Sequence, residues 1–334
     1  MNTQSFKPSS PCRSVIRLIA LTVLASISCV GMAHAQTYPS KPITLVVPYP
    51  AGGANDMLGR LIGQKLSEGL GQQIIIDNKP GAGTLIGATV VAKAAPDGYT
   101  LLVGGFASNA VSPLLFKAEY DPLTAFEPIG MFGTAPTVVI TYPDSPYKTI
   151  KDVVDAAKKK PGALMYGSSG NGSPLHMAGE MFTAQAGVDM THVPYKGGSA
   201  HILDLIGKRL DVIFDTSTNS TPLIKGGKVR PIAVSSKTRM PDFPDVPTLT
   251  EAGYPDFAVN GWYALYAPAK TPKEIVNRLS VELQKVLKKP EVIEKLRGVG
   301  VTPGTGEAQE LVKYGPAELE KYGKLIKAAN IKAD

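Results

Sequence analysis

The chain has 334 residues, 43% hydrophobic and 19% charged, a balance that fits a soluble globular protein of one large or two medium domains. Its formal charge of +7 is scattered; Lys158-Lys159-Lys160 is the densest run and closes a predicted helix, where cations suit the helix dipole. Such a distribution excludes the clustered basic face that nucleic acid requires.

The first stretch stands apart. Lys7, Arg13 and Arg17 precede the apolar run Leu18 to Val30, which is too short to span a bilayer, and Ala33-His34-Ala35 follows. Residues 1–35 are therefore predicted to be a cleavable signal peptide, cut after Ala35, rather than a membrane anchor. Its loss removes three basic residues and no acidic one, leaving 32 Lys+Arg against 28 Asp+Glu, or +4. Cys12 and Cys29 leave with it, so the mature chain has no disulfide, no thiolate nucleophile and no cysteine metal site. The residual charge favours anionic small ligands through the summed field.

Strand and helix patterns then alternate. Ile43–Val47 is a β-branched strand, and Leu58, Leu61, Ile62, Leu66 and Leu70 recur at helical spacing before Gly71. Ile74–Ile76, a helix through Ala88 to Ala94 and Tyr99–Val103 complete a first set. A second set runs through strands at 138–140, 164–166, 192–195, 212–214 and 232–234, with helices at 150–160, 175–186 and 202–206. Residues 242–256, rich in Pro and Asp, read as loop. Trp262–Tyr266 forms a strand, and helices follow at 272–287, 290–297 and 316–329. Short apolar strands linked by helices predict an α/β protein with mainly parallel sheets covered on both faces. About 300 residues of this alternation favour two doubly wound domains. The natural crossing strands are Thr137–Thr141 and Trp262–Tyr266, giving one lobe from 36–138 with 260–334, a second from 139–259, and a hinged cleft between them.

Ligands of open α/β sheets gather outside the carboxyl ends of strands, and three such ends carry small or hydrogen-bonding residues. In Val46-Val47-Pro48-Tyr49-Pro50-Ala51-Gly52-Gly53-Ala54-Asn55-Asp56, the glycines let the backbone approach a ligand and the next helix offers unpaired N–H groups. Such a turn suits an anion. A P-loop lysine is absent, so a carboxylate fits better than a phosphate. Asn55 and Asp56 are candidate helix caps, and for Asp56 capping is weighed above ligand contact. In the second loop, Ser168, Ser169, Gly170, Asn171, Gly172 and Ser173 precede a helix with Pro174 at its first position and His176 and Glu180 on it. This loop is a second candidate anion cradle. Ser108 and Asn109 in the third loop suit either ligand contact or a plain turn. Asp215 ends a strand and suits either a ligand amine or hydroxyl, or a cap for the next turn through Thr216 or Thr218. Lys196, after Tyr195, adds a cation to the mouth or remains a surface lysine.

Three other readings fail on spacing. Gly81-Ala82-Gly83-Thr84-Leu85-Ile86-Gly87 has one residue too many for a dinucleotide fingerprint and lacks its acidic partner. Gly167-Ser168-Ser169-Gly170-Asn171 puts Asn where a nucleophile elbow needs Gly, leaving a secreted serine hydrolase built on Ser168 or Ser169 only as the alternative function. His176, His192 and His201 have no H-E-x-x-H arrangement or carboxylate cluster, so no metal is expected.

Taken together, Tyr38-Pro39-Ser40-Lys41-Pro42-Ile43, Pro48-Tyr49-Pro50-Ala51-Gly52-Gly53 with Asp56 and Arg60, Asn78-Lys79-Pro80-Gly81-Ala82-Gly83, Ala95-Pro96-Asp97-Gly98-Tyr99-Thr100, Val193-Pro194-Tyr195-Lys196-Gly197, Asp245-Val246-Pro247-Thr248 and Ala267-Pro268 carry a specific pattern. The chain resembles the Bug-type periplasmic solute receptors, the substrate-binding components of tripartite tricarboxylate transporters. That resemblance implies a two-lobed periplasmic binding protein of type II that closes like a venus flytrap on one small carboxylate. It also implies a periplasmic location, a monomer, no cofactor, no catalysis, and delivery to a membrane transporter or a sensor kinase. The first loop, Tyr49 to Asn55, would grip a ligand carboxylate mainly through backbone amides. Ser168, Gly170, Asn171, Gly172 and Ser173 would oppose it, with His176 nearby, and Asp215 matches an acidic position that faces a ligand amine in some members. Gly104-Gly105-Phe106 and Asn260-Gly261 depart from the commoner pattern beside the cleft, so the particular carboxylate does not transfer from relatives.

Overall fold

The computed structural model describes residue 4 and residues 38–195, 200–255, 257 and 259–332. Apart from residue 4, the predicted signal peptide with its cysteines lies outside the described residues, as do Lys196 and Asp256. The chain divides into two compact units, Met1–Ser40 and Lys41–Asp334, and everything below concerns the second.

In its first half, β1 (Ile43–Val47) lies parallel between β2 (Ile74–Asn78) and β3 (Thr100–Gly105). α1 (Ala54–Leu70) covers this sheet; its stripe of Leu58, Ile62, Leu66 and Leu70 is buried, as the helical spacing predicts. Gly59 allows the close approach, since a Cβ there would sit 2.9 Å from a Val47 methyl. α2 (Leu85–Ala92) follows β2, and a π-helical turn (Ala107–Val111) with α3 (Ser112–Leu115) follows β3.

β4 (Phe126–Thr141) is the longest strand, and its two ends serve different neighbours. Residues 126–136 pair antiparallel with β9 (Asn260–Pro268), while 137–141 pair antiparallel with β7 (Val212–Thr216) and β8 (Arg230–Val234). In the second half β5 (Met165–Ser168) runs parallel between β7 and β6 (Thr191–Pro194). The helices α4 (Ile150–Lys159), α5 (Pro174–Ala186), α6 (Ala200–Ile206) and α7 (Ser217–Lys225) link these strands. After β9 come α8 (Lys273–Leu287), α9 (Pro290–Gly298), the short β10 (Thr302–Pro303) and α10 (Ala308–Ala328). The strand order is β2-β1-β3-β9-β4-β7-β5-β6, with β8 and β10 also pairing β4.

Both strands proposed as crossings are present and longer than predicted; β4 pairs with strands of both halves, whereas β9 pairs with β3 and with residues 126–136 of β4. β4 begins eleven residues earlier than the first crossing read from the sequence (126 against 137). Pro128, Gly130, Gly133 and Pro136 interrupt its apolar run, and the register against β9 slips at two irregularities there. The two sheets meet on β4 and form one hydrogen-bonded path instead of standing apart. At the changeover a buried knot ties β4 to Ser235, Val259 and the start of β9. The Thr137 amide donates to Ser235 Oγ at 2.7 Å and the Thr137 hydroxyl donates to Val259 O at 2.6 Å. Ser235 N donates to Thr137 O at 2.8 Å, and Ser235 Oγ donates to Asn260 Oδ1 at 2.7 Å.

Candidate ligand-binding cleft

The loop after β1 is held from below by Asp56. Its Oδ2 accepts from the Gly52 amide at 2.9 Å and from Arg60 Nε at 3.0 Å, and its Oδ1 accepts from Asn78 Nδ2 at 2.9 Å. Asn78 also donates to Tyr49 O at 3.1 Å. Burial raises the Asp56 carboxyl pKa, but the bonds from Arg60, Gly52 and Asn78 outweigh it and hold the group down at about 2. This is a correction to Asp56 as a ligand contact: both its oxygens are spent on the loop. The helix cap also differs from expectation, because Gly53 is the N-cap without a side-chain bond and Asn55 and Asp56 fall inside the first turn. Of the loop amides, Gly52 is taken by Asp56. Ala51, Gly52 and Gly53 are exposed, and Gly53, Ala54 and Asn55 start α1, where N–H groups lack helical partners.

Beyond β5 the chain spends more on itself than its composition implies. The Gly170 amide donates to Ser168 Oγ at 3.1 Å, Gly172 N to His176 Nδ1 at 3.0 Å, and Ser173 N to Gly170 O at 3.1 Å. Ser173 caps α5 by accepting from His176 N. Ser168 is fully buried, with its Oγ 2.6 Å from His192 Nε2, and His192 stacks on His176 with ring centroids 4.0 Å apart. It is sheet order that makes this contact: β6 runs beside β5 and brings His192 to Ser168. Ser168 and His176 do not line the main cleft cavities. His176 instead borders a smaller cavity of about 310 Å³ with Asn171, Glu180 and residues 329–332.

Ser108 and Asn109 also turn inward. Both accept from the Gly105 amide, at 3.1 and 3.0 Å, and Ser108 donates to Asn109 Oδ1 at 2.6 Å. They act as turn residues, closing a loop in which β3 presses so tightly on β9 that a Cβ on Gly105 would meet Trp262 O at 2.1 Å. Asp215 is fully buried. Its Oδ1 accepts from Thr216 N at 2.8 Å and Asn219 Nδ2 at 3.2 Å, so it positions the start of α7 and does not line the cleft. Of the two roles left open for it, the local one matches this geometry.

A cavity of about 430 Å³ gathers the residues that do face one another. Tyr49, Pro50, Gly53, Ala54 and Asn55 line one side. Ser169, Pro174 and Leu175 come from the β5–α5 loop, Thr216, Thr218 and Asn219 from the start of α7, Phe106 and Ala107 from the loop after β3, and Gly261, Trp262 and Tyr263 from β9. Three helix starts, those of α1, α5 and α7, therefore converge on one space. The third went unrecognised in the sequence because Ser217–Lys225 is a hydroxyl-rich run with Pro222 inside it. No Lys, Arg, His, Asp or Glu is among the described residues that line the cavity. Burial pushes the Tyr263 hydroxyl up to about 12 and keeps it a neutral donor. Two aromatic walls are braced by α10: Phe106 packs edge-on against Tyr322, and Trp262 against Tyr314.

The second cavity, of about 470 Å³, adjoins the first through Tyr49, Pro50, Ala107, Ser169 and Pro174, which border both. Gly170, Asn171, Gly172 and Ser173 line it, and not the first. Among the described residues no group of three His, Cys, Asp or Glu side chains gathers to hold a metal ion.

A two-lobed α/β protein with crossing strands and a cleft ringed by helix starts is a solute-binding receptor. The chain belongs to the tripartite tricarboxylate transporter family receptors, whose pattern matches residues 58–331. It is similar to Rpa4515 of R. palustris solved with adipate, at 36% identity and a TM-score of 0.80, over 89% of this chain and 100% of that one. The periplasmic binding protein BugD is 36% identical with a TM-score of 0.77 over the same shares. MatC from Rhodopseudomonas palustris, solved with bound malate, is 30% identical with a TM-score of 0.76, over 86% of this chain and 100% of that one. The Bug-type resemblance and the periplasmic-receptor fold are thereby shown.

Proposed function

We propose that this chain is a periplasmic receptor that captures a small organic carboxylate between lobes 36–138 with 260–334 and 139–259, then presents it, as a monomer, to a tripartite-type membrane transporter or a sensor. The observation that carries this is the convergence of the α1, α5 and α7 starts on one cavity without a charged side chain among its described lining. Unpaired N–H groups and dipole ends suit an anion, and a carboxylate needs neither a metal nor a lysine to fit them. The adipate and malate held by Rpa4515 and MatC are of this chemical class.

Magnitudes say where the affinity arises. Micromolar capture corresponds to about −8 kcal/mol. Each helix end contributes only about 0.3–1 kcal/mol, so even three leave most of the total to desolvated hydrogen bonds and apolar contact formed as the lobes close. Native mass spectrometry of freshly purified protein, followed by a thermal-shift screen, tests the reading. A co-purified acid and stabilisation by carboxylates are expected. Stabilisation by amines, sugars or neutral amides with none by any carboxylate overturns it.

One observation favours a hydrolase, the 2.6 Å contact between Ser168 Oγ and His192 Nε2. Against it, Ser168 is fully buried and borders neither of the two cavities described above.

A further inference from the structure

The sequence Gly81-Ala82-Gly83-Thr84 has no part in the carboxylate grip, yet Gly81, Gly83 and Thr84 form a wall of the second cavity. Its backbone is unusual. Gly81, Ala82, Gly83 and Thr84 all have positive φ, at 125°, 45°, 60° and 86°. A β-branched residue at such an angle is a genuine outlier, and strain of this kind persists where surroundings enforce it, commonly at ligand clamps. Here the Thr84 amide donates to Gly81 O at 3.0 Å and Ser112 Oγ donates to Gly83 O at 2.6 Å, fastening the loop in place. Thr84 is also the N-cap of α2 without a cap bond, and its buried hydroxyl has no hydrogen-bond partner among the described residues.

Pro48, Pro50, Pro80, Ala107, Phe116, Pro174 and the ring of Tyr195 give the second cavity a broad apolar wall, and its polar side chains, Ser112, Ser169, Asn171 and Ser173, are uncharged. The facing amides of Gly170, Gly172 and Ser173 are already engaged within their own loop. This space therefore suits hydrocarbon far better than a second charge. It opens onto the helix-start cavity through the residues that border both.

Resting on the carboxylate reading above, we infer that the cleft takes an elongated acid, its carboxylate at the α1, α5 and α7 starts and its apolar body lying in the Pro80–Thr84 cavity. Compact acids fill only the first space. Each methylene that enters the second is then expected to raise affinity by up to about fourfold.

Calorimetric titration of the purified protein with acetate, butyrate, hexanoate, octanoate and benzoate, with succinate as a compact diacid, reads this directly. Affinity is expected to climb with the length of the apolar body. Phe116→Ala, which removes wall unique to the second cavity, and Phe116→Trp, which narrows it, should each weaken the longer acids by roughly five- to tenfold and leave acetate and succinate unchanged. Thermal melts without ligand identify a variant that fails to fold, and the other then decides. If compact acids bind and affinity is flat or falls with length, or if both folded variants treat long and short acids alike, the inference is overturned while the carboxylate grip stands. If no acid of any length binds, the carboxylate reading falls and takes this inference with it.

Discussion

Asp56 accepts the Gly52 amide at 2.9 Å, so this carboxylate beneath the cleft loop works on the protein's own backbone. Its folded pKa of about 2 lies below the unfolded value near 3.9. A depressed carboxylate stabilises the fold above the unfolded pKa, and that contribution is lost as pH falls through the folded one. The linkage is worth on the order of 2 kcal/mol at neutral pH. Asp56→Ala should therefore lower the melting temperature at pH 7 and weaken ligand binding through a loosened loop. The stability gap to the wild type should narrow between about pH 4 and pH 2. An equal gap at pH 7 and pH 2 would contradict this role.

Ser168 and Ser169 are neighbours with opposite duties. Ser169 borders both cavities, whereas Ser168 is locked to His192. Ser169→Ala is expected to weaken carboxylate binding by about 0.5–1.5 kcal/mol with little change in melting temperature. Ser168→Ala should instead lower stability by about 1–3 kcal/mol, because it strands the Gly170 amide and removes a buried contact of His192 Nε2. Paired titration and melting curves separate the two, and ester turnover lost in parallel in both variants would favour the hydrolase.

Trp262 is the chain's single tryptophan, and it forms part of the cleft wall. Intrinsic fluorescence should change saturably on adding a bound carboxylate, with the same midpoint as calorimetry. Trp262→Phe should abolish the signal. Absence of any change while calorimetry shows binding would mean the acid sits elsewhere.

Thr137 and Ser235 tie β4 to the segment leading into β9. Ser235→Ala leaves the buried Thr137 amide without its partner and is expected to cost about 1–3 kcal/mol in denaturant unfolding. Combined with Thr137→Val, the loss should be less than the sum of the single effects, since both act on one network. Strict additivity would argue against the knot.

Much of this architecture was legible because alternating apolar strands and amphipathic helices announce an α/β sheet, and Pro-Gly-rich strand ends announce loops that face ligands. The direction of individual side chains was not. Ser108, Asn109, Ser168 and Asp215 follow strands and are small and polar, as cleft residues would be. A buried loop must first satisfy its own amides, and each of these four accepts from one: Gly105 for Ser108 and Asn109, Gly170 for Ser168, Thr216 for Asp215. His192 was passed over because its closeness to Ser168 comes from sheet order, which the local pattern does not carry. The early part of β4 was missed for a related reason: Pro128, Gly130 and Pro136 break the apolar run that marks a strand.

A grip of the proposed kind, made of peptide dipoles and hydroxyls with no ammonium or guanidinium on its described walls, would hold its guest without a formal counter-ion. Added salt should then do little to loosen it. On the proposed reading, no titratable side chain among those described walls has to gain or lose a proton when the acid is released, so the release rate should vary little between about pH 6 and pH 8.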